Sequence, residues 1–134
     1  MKLEAPILNV SETASKKLID KTISGLEPEP DHFSILSKDE MSYIQCLRTE
    51  HGFIVQFQLG SLNEHYEFET YLSRPQSIKL FCGFLNQTDN WQGDLKYNKV
   101  NLHSIWHRMG YAIGSFIGNF IRGFREEKAK RRNK

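Results

Sequence analysis

A strictly alternating apolar run at residues 53–59 constrains the fold most. Its sequence is FIVQFQL, and large apolar side chains occupy every second position: Phe53, Val55, Phe57 and Leu59. A period of two places these side chains on one face of a β-strand. The run at residues 41–48 also has the composition of a strand, and His51-Gly52 lies between the two runs as a turn signal. We therefore predict an antiparallel hairpin over these two runs.

Three further strand-like runs extend this hairpin into a sheet: residues 32–37, 64–71 and 95–102. In the run EHYEFETY, Tyr66 and Phe68 share one face, whereas Glu67 and Glu69 share the other. This alternation predicts an antiparallel meander with one face buried and the other face in water.

Two helices are predicted beside the sheet. Residues 11–24 carry an apolar stripe at helical spacing, with Ser11 as the N-cap and Gly25 as the C-terminal stop. Ser73 opens the second helix, because Gln76 three residues later completes a capping box. A proline in the first turn of that helix removes a donor that has no intrahelical partner.

A third helix is predicted at residues 104–124, where three glycines recur four residues apart: Gly110, Gly114 and Gly118. Residues four apart share a helix face, and each glycine costs about 1 kcal/mol of helix propensity relative to alanine. Close approach of another surface is the usual compensation. Only 13 residues separate Arg108 from Arg122, whereas a membrane-spanning helix needs about 20 apolar residues. Three interpretations stay open: packing on the core of the chain, an interface with a partner or a second copy, and contact with a membrane surface.

These elements together predict an α+β fold. The prediction is an antiparallel β-meander of four to five strands, packed by an N-terminal helix, a central capped helix and a glycine-faced C-terminal helix. We expect a single domain over residues 1–124, followed by a basic, frayed tail at residues 125–134.

Charge is distributed unevenly along the chain. Residues 1–121 contain 11 Lys and Arg against 14 Asp and Glu, whereas residues 122–134 contain seven against two. An acidic body suits a basic partner such as a protein that acts on nucleic acid. Residues 31–72 hold only two cations, Lys38 and Arg48, so specific nucleic-acid binding is not expected.

No arrangement of side chains predicts catalysis or metal binding. His103 and His107 would share a helix face, but no third ligand lies nearby in the sequence. His65 shares a strand face with Glu67, which we interpret as an exposed cross-strand pair. We expect a protein that is not an enzyme and that holds no cofactor or metal.

Both cysteines, Cys46 and Cys82, fall on apolar faces and are expected to be buried, inert thiols. Two cysteines form no disulfide framework, and the N-terminus has no secretory signal, so we expect a cytoplasmic protein.

Residues 43–91 resemble the small immunity proteins of bacterial polymorphic-toxin and contact-dependent inhibition systems. The similarity rests on YIQCLRTEHGFIVQFQLGSLNEHYEFETYLSRPQSIKLFCGFLNQTDNW: a strand pattern, the HYEFE strand, a helix ending in FL and a following Trp. The resemblance implies a cytosolic, single-domain inhibitor that takes part in bacterial competition. Such an antitoxin binds a toxin domain, often a nuclease or deaminase, and blocks its active site or substrate path. No catalysis is implied.

The predicted partner surface combines the acidic loop at residues 27–31 with the water-facing side of the sheet. It contains these carboxylates: Glu27, Glu29, Asp31, Asp39, Glu40, Glu64, Glu67 and Glu69. Trp91 is the candidate aromatic anchor, with folding onto the core as the other interpretation. The alternative function is an adaptor that associates with itself or with a membrane surface through the glycine-faced helix and the basic tail.

Overall fold

The computed structural model describes residues 1–101. Four of the predictions lie outside the described residues: the helix at residues 104–124 with Gly110, Gly114 and Gly118, the His103–His107 pair, the end of the single domain at residue 124 and the basic tail at residues 125–134.

The described residues form one seven-stranded antiparallel sheet and two α-helices, so the predicted α+β class is confirmed. The strands are β1 (Lys2–Ala5), β2 (Val10–Thr13), β3 (Phe33–Asp39), β4 (Ser42–Thr49), β5 (Gly52–Leu59), β6 (His65–Phe68) and β7 (Tyr97–Lys99). Their spatial order is β2-β1-β3-β4-β5-β6-β7. The helices are α1 (Lys16–Ser24) and α2 (Arg74–Asn86). The sheet exceeds the predicted four to five strands by an N-terminal hairpin.

That hairpin replaces the first part of the predicted helix at residues 11–24. Strand β1 pairs with β2 and with β3, where Leu3 lies opposite Leu36. A single 3₁₀ turn joins β1 to β2, and Asn9 beyond it has a φ of 56°. The predicted N-cap was therefore wrong: the Ser15 hydroxyl, and not that of Ser11, accepts from the Leu18 amide at 3.1 Å. The predicted end at Gly25 is confirmed.

Strands β3 to β7 pair in the order of the chain, with an eight-residue ladder between β4 and β5. Gly52 lies at the start of β5 with a φ of 126°, and a Cβ atom there would lie 2.8 Å from the Leu72 carbonyl oxygen. That carbonyl accepts from the Phe53 amide at 2.8 Å. Only glycine fits this position without strain, because the backbone is left-handed and a second chain segment lies against it.

Both helices cover the same face of the sheet. The predicted capping box of α2 is confirmed: the Gln76 amide donates to the Ser73 hydroxyl at 3.2 Å, and the Ser73 amide donates to the Gln76 side chain at 2.8 Å. The core between helices and sheet is apolar: Leu3, Ile19, Ile23, Leu26, Leu36, Ile44, Cys46, Phe53, Val55, Phe57, Phe68, Leu72, Leu80, Phe81 and Phe84. Within residues 1–101, no helix has both the length and the hydrophobicity that crossing a bilayer requires.

The opposite face, here called the second face, is not in water as predicted. Two rows of side chains cross it from strand to strand. One row contains Ser37, Tyr43, Gln58 and His65, and the other contains Ile35, Gln45, Gln56 and Glu67. Tyr43, Gln45, Gln56, Gln58 and His65 are at most 1% exposed. Polar residues on a strand therefore do not mark a solvated face in this protein.

Candidate functional site

The loop between α1 and β3 holds three exposed carboxylates: Glu27, Glu29 and Asp31. His32 organises this loop, because its Nδ1 accepts from the Glu27 amide at 2.9 Å. The Glu29 carboxylate lies 3.8 Å from Nε2 of the same ring. Asp31 has a φ of 66°, and its carbonyl accepts from the Phe33 amide at 3.1 Å. Two prolines further restrict the loop, so its carboxylates lie on a backbone of limited freedom.

The turn between β4 and β5 lies beside this loop. The Arg48 amide donates to the His32 carbonyl at 3.0 Å, which ties the loop to β4. The Thr49 hydroxyl donates to the Gly52 carbonyl at 2.9 Å and closes the turn. Glu50 and His51 at its tip are exposed. The His51 ring contacts the ring of Tyr71, whose side chain is 52% exposed, with the centroids 5.5 Å apart.

Strand β6 finishes at the same end of the sheet, where Glu69 is exposed. We call this surface the acidic end and define it by seven residues: Glu27, Glu29, Asp31, Glu50, His51, Glu69 and Tyr71. Arg48 is the cation closest to it along the chain, and its guanidinium lies 5.2 Å from the centre of the Phe53 ring and donates to the Thr49 carbonyl. The acidic end thus combines five exposed carboxylates with an exposed aromatic pair.

Three other predicted carboxylates, Asp39, Glu40 and Glu64, lie at the opposite end of the sheet. Strand β3 runs from one end to the other, and its seven residues span about 20 Å. The Asp39 carboxylate accepts from the Met41 amide at 2.9 Å and shapes the turn between β3 and β4. Glu40 is buried. The predicted carboxylates therefore do not form one continuous surface.

Glu64 takes part in contacts within the chain. Its carboxylate accepts from the Tyr66 hydroxyl and lies 3.6 Å from the Lys99 ammonium. The hydrogen bond from Tyr66, and then the charge of Lys99, lower the pKa of Glu64. The carboxylate of Glu67 accepts from the Gln56 side chain at 2.9 Å on the second face. That of Glu69 accepts from Asn98 at 3.0 Å at the edge of the sheet.

Trp91 is half-buried and folds onto the core, as in the second interpretation of the sequence. Its ring lies 5.0 Å from the Phe57 ring and 5.5 Å from the Phe84 ring, both edge to face. Gly83 allows this approach, because a Cβ atom there would lie 3.0 Å from the Trp91 Cβ. Tyr71 is the more exposed aromatic, and it was not among the residues predicted from the sequence. In the predicted strand at residues 64–71, Tyr71 falls on the same face as Glu67 and Glu69. That alternation is the sequence signal that points to it.

The second face carries a row of buried polar side chains instead of an exposed ion pair. The Gln45 amide donates to Gln56 at 2.6 Å. The Nδ1 atom of His65 lies 3.1 Å from the Gln58 amide oxygen, to which the Tyr43 hydroxyl donates at 3.3 Å. Burial lowers the pKa of His65 to about 4, so its imidazole is neutral at pH 7. The predicted exposed pairing of His65 with a carboxylate was therefore wrong.

Both cysteines are at least partly withdrawn from water. Cys46 is fully buried, as predicted, and burial raises its pKa to about 12. Cys82 is only half-buried, so the predicted burial of this second thiol was wrong, although burial still raises its pKa. Within residues 1–101, no three His, Cys, Asp or Glu side chains lie close enough together to hold a metal ion.

Comparison of the chain with protein-family models, with curated proteins and with solved structures found no match. The residues of this chain are therefore the basis for inferring its function, and the acidic end is its candidate interaction surface.

Proposed function

We propose that this protein is an immunity protein that binds a basic toxin domain through its acidic end and blocks the active site or substrate path of that toxin. It acts in the cytoplasm as an inhibitor, without catalysis and without a cofactor. The observation that carries this proposal is the acidic end, with five exposed carboxylates beside the Tyr71–His51 pair. The resemblance of residues 43–91 to immunity proteins supports the same function.

The chemistry of the acidic end fits a nuclease or a deaminase that acts on nucleic acid. Such enzymes bind phosphates through Lys and Arg, which makes their substrate path basic. Carboxylates of the inhibitor would pair with those cations and speed association through complementary charge. Tyr71 would supply the apolar contact, because exposed aromatic side chains are frequent anchors of protein interfaces.

The hydrogen bonds around His32 and Thr49 also favour tight binding, because they order the loop and the turn before a partner binds. Ordering a flexible loop on association costs free energy that a loop already held in place does not lose. The loop that carries Glu27 and Asp31 is held by the bond from the Glu27 amide to His32 and by the bond from Arg48 to the His32 carbonyl.

The first experiment is capture of partners by the tagged full-length chain from lysate of its host, followed by mass spectrometry. A captured protein qualifies as the toxin if it arrests growth when expressed alone and if co-expression of this chain restores growth. Capture of no such protein would contradict the proposed function.

The second experiment locates the surface with two charge-matched triple variants. Glu27→Lys/Glu29→Lys/Asp31→Lys alters the acidic end. The control, Glu12→Lys/Asp89→Lys/Asp94→Lys, makes the same change in net charge at exposed positions elsewhere. We expect the association rate with the toxin to fall by roughly tenfold or more only for the first variant, because local charge steers the encounter. Equal effects of both variants would exclude the acidic end as the binding surface and leave the function itself standing.

A further inference from the structure

The second face of the sheet is buried, although α1 and α2 pack on the opposite face. Phe33, Ile35 and Tyr43 are 4%, 3% and 1% exposed, yet none of them belongs to the core between the helices and the sheet. In an antiparallel sheet with helices on one side, the other side is commonly solvated. Burial on both sides requires a second layer over the sheet.

The polar side chains of this face lead to the same conclusion. Gln56, Gln58 and His65 are each 0% exposed. In the described part of the chain, the Nε2 atom of His65 is buried without a hydrogen-bond partner. A polar atom is withdrawn from water in this way only where other groups cover it, because its desolvation costs free energy. Any covering layer must therefore extend over His65.

The chain leaves the described region beside this histidine. The Val100 amide donates to the His65 carbonyl at 2.9 Å, directly after β7. Thirty-three residues follow residue 101, and they include the helix predicted at residues 104–124. A helix over residues 104–124 spans about 31 Å. The sheet from β6 to β1 measures about 19 Å across, since strands lie about 4.8 Å apart.

We propose that segment 104–124 of the same chain occupies the second face and forms the second layer over the sheet. Its sequence is apolar around most of the helix circumference, with Ile113, Phe116 and Phe120 among the large side chains, so it needs a surface to cover. The glycine stripe lets a helix approach a neighbouring surface closely. Attachment next to His65 favours the same chain over a second copy, because the covalent link raises the local concentration of the segment.

Photo-crosslinking of the full-length chain tests this directly. A benzophenone amino acid replaces Ile54, a half-buried residue whose neighbour in the ladder is Leu47 on the second face. The control chain carries the same probe at Lys79, an exposed position on α2. We expect crosslinks from position 54 to peptides of segment 104–124 in the monomeric product, and none to this segment from position 79. Crosslinks to the segment only in a dimeric product, or no crosslink to it, would overturn the proposal.

A second measurement needs no crosslinking probe on the second face. Phe116→Asp places a charge in the apolar segment of the full-length chain, and NMR follows the titration of His65. Loss of the covering layer is expected to move the pKa of His65 from about 4 back toward its ordinary value, with the sheet signals retained. An unchanged pKa of His65 in this variant would contradict the proposal. Neither experiment involves the toxin, so their outcome is independent of the proposed function.

Discussion

Lowering the pH from 7 to 5 is expected to destabilise the fold by protonating the unfolded chain at His65. Its imidazole is fully buried beside Gln58 and Tyr43, and burial lowers its pKa to about 4 from an ordinary value of 6.5. Between these two values the unfolded chain binds more protons than the folded chain, so unfolding becomes easier as the pH falls. The contribution of His65 to the free energy of unfolding is at its maximum above pH 6.5 and falls as the pH approaches 4. The loss amounts to about 2 kcal/mol at pH 5 and about 3 kcal/mol in total.

Urea unfolding at pH 7 and at pH 5, followed by tryptophan fluorescence, measures this effect. The His65→Gln variant keeps a polar side chain but has no imidazole to titrate. The control is His51→Gln, which removes an exposed imidazole. We expect the wild type and the control to lose about 2 kcal/mol more than His65→Gln between the two pH values. The three proteins differ only in their histidines, so the comparison isolates the imidazole of His65. Equal pH dependence in the wild type and His65→Gln would refute the reasoning.

Three further perturbations have defined outcomes. Ser73→Ala removes the capping box of α2 and should lower the free energy of unfolding by about 1 kcal/mol in urea titrations. Gly52→Ala should cost about 1–3 kcal/mol in the same titrations, because it combines a left-handed backbone with a Cβ atom 2.8 Å from the Leu72 carbonyl oxygen. A thiol reagent should modify Cys82 in the native protein and Cys46 only on unfolding, since Cys46 is 0% exposed; labelling followed by mass spectrometry distinguishes the two.

Each of these expectations has a matched control. Ser73→Thr keeps a capping hydroxyl and should behave like the wild type, so equal losses for both Ser73 variants would exclude the cap as the cause. Gly60 has a φ of 82° with no atom within 4 Å of an added Cβ. Gly60→Ala therefore reports backbone strain alone, and a cost equal to that at Gly52 would show that contact with Leu72 is unimportant. Rapid modification of Cys46 in the native state would contradict its burial.

The sequence predicted those parts of the fold that depend on neighbours along the chain. The hairpin of β4 and β5 follows from alternation and from the turn between them, and the start of α2 follows from a capping box that spans four residues. Strand β1 depends on a distant partner, since Leu3 lies opposite Leu36 in β3. Its four residues are too few to show a clear period of their own, and the N-terminal hairpin was therefore missed.

The candidate site was predictable in part for the same reason. The acidic loop at residues 27–31 is visible from its composition. Which carboxylates gather around it depends on the order of the strands, and this order places Glu50 and Glu69 at the same end as the loop but Asp39 at the other. The sequence also left open whether Trp91 is buried or exposed, because the rings that contact it, Phe57 and Phe84, lie on β5 and α2.

Taken by itself, the sequence determined the α+β class, the alternation along the central strands, the cap of α2 and the net acidity of residues 1–121. Tertiary structure alone decided which faces are buried and which charges come together. Periodicity divides a strand into two faces, but burial depends on what packs against each face, and those contacts join residues far apart in the chain. The side chains of Gln56, Gln58 and His65 are polar, and yet they are 0% exposed, because the free energy of the whole packed molecule outweighs the preference of any single side chain for water.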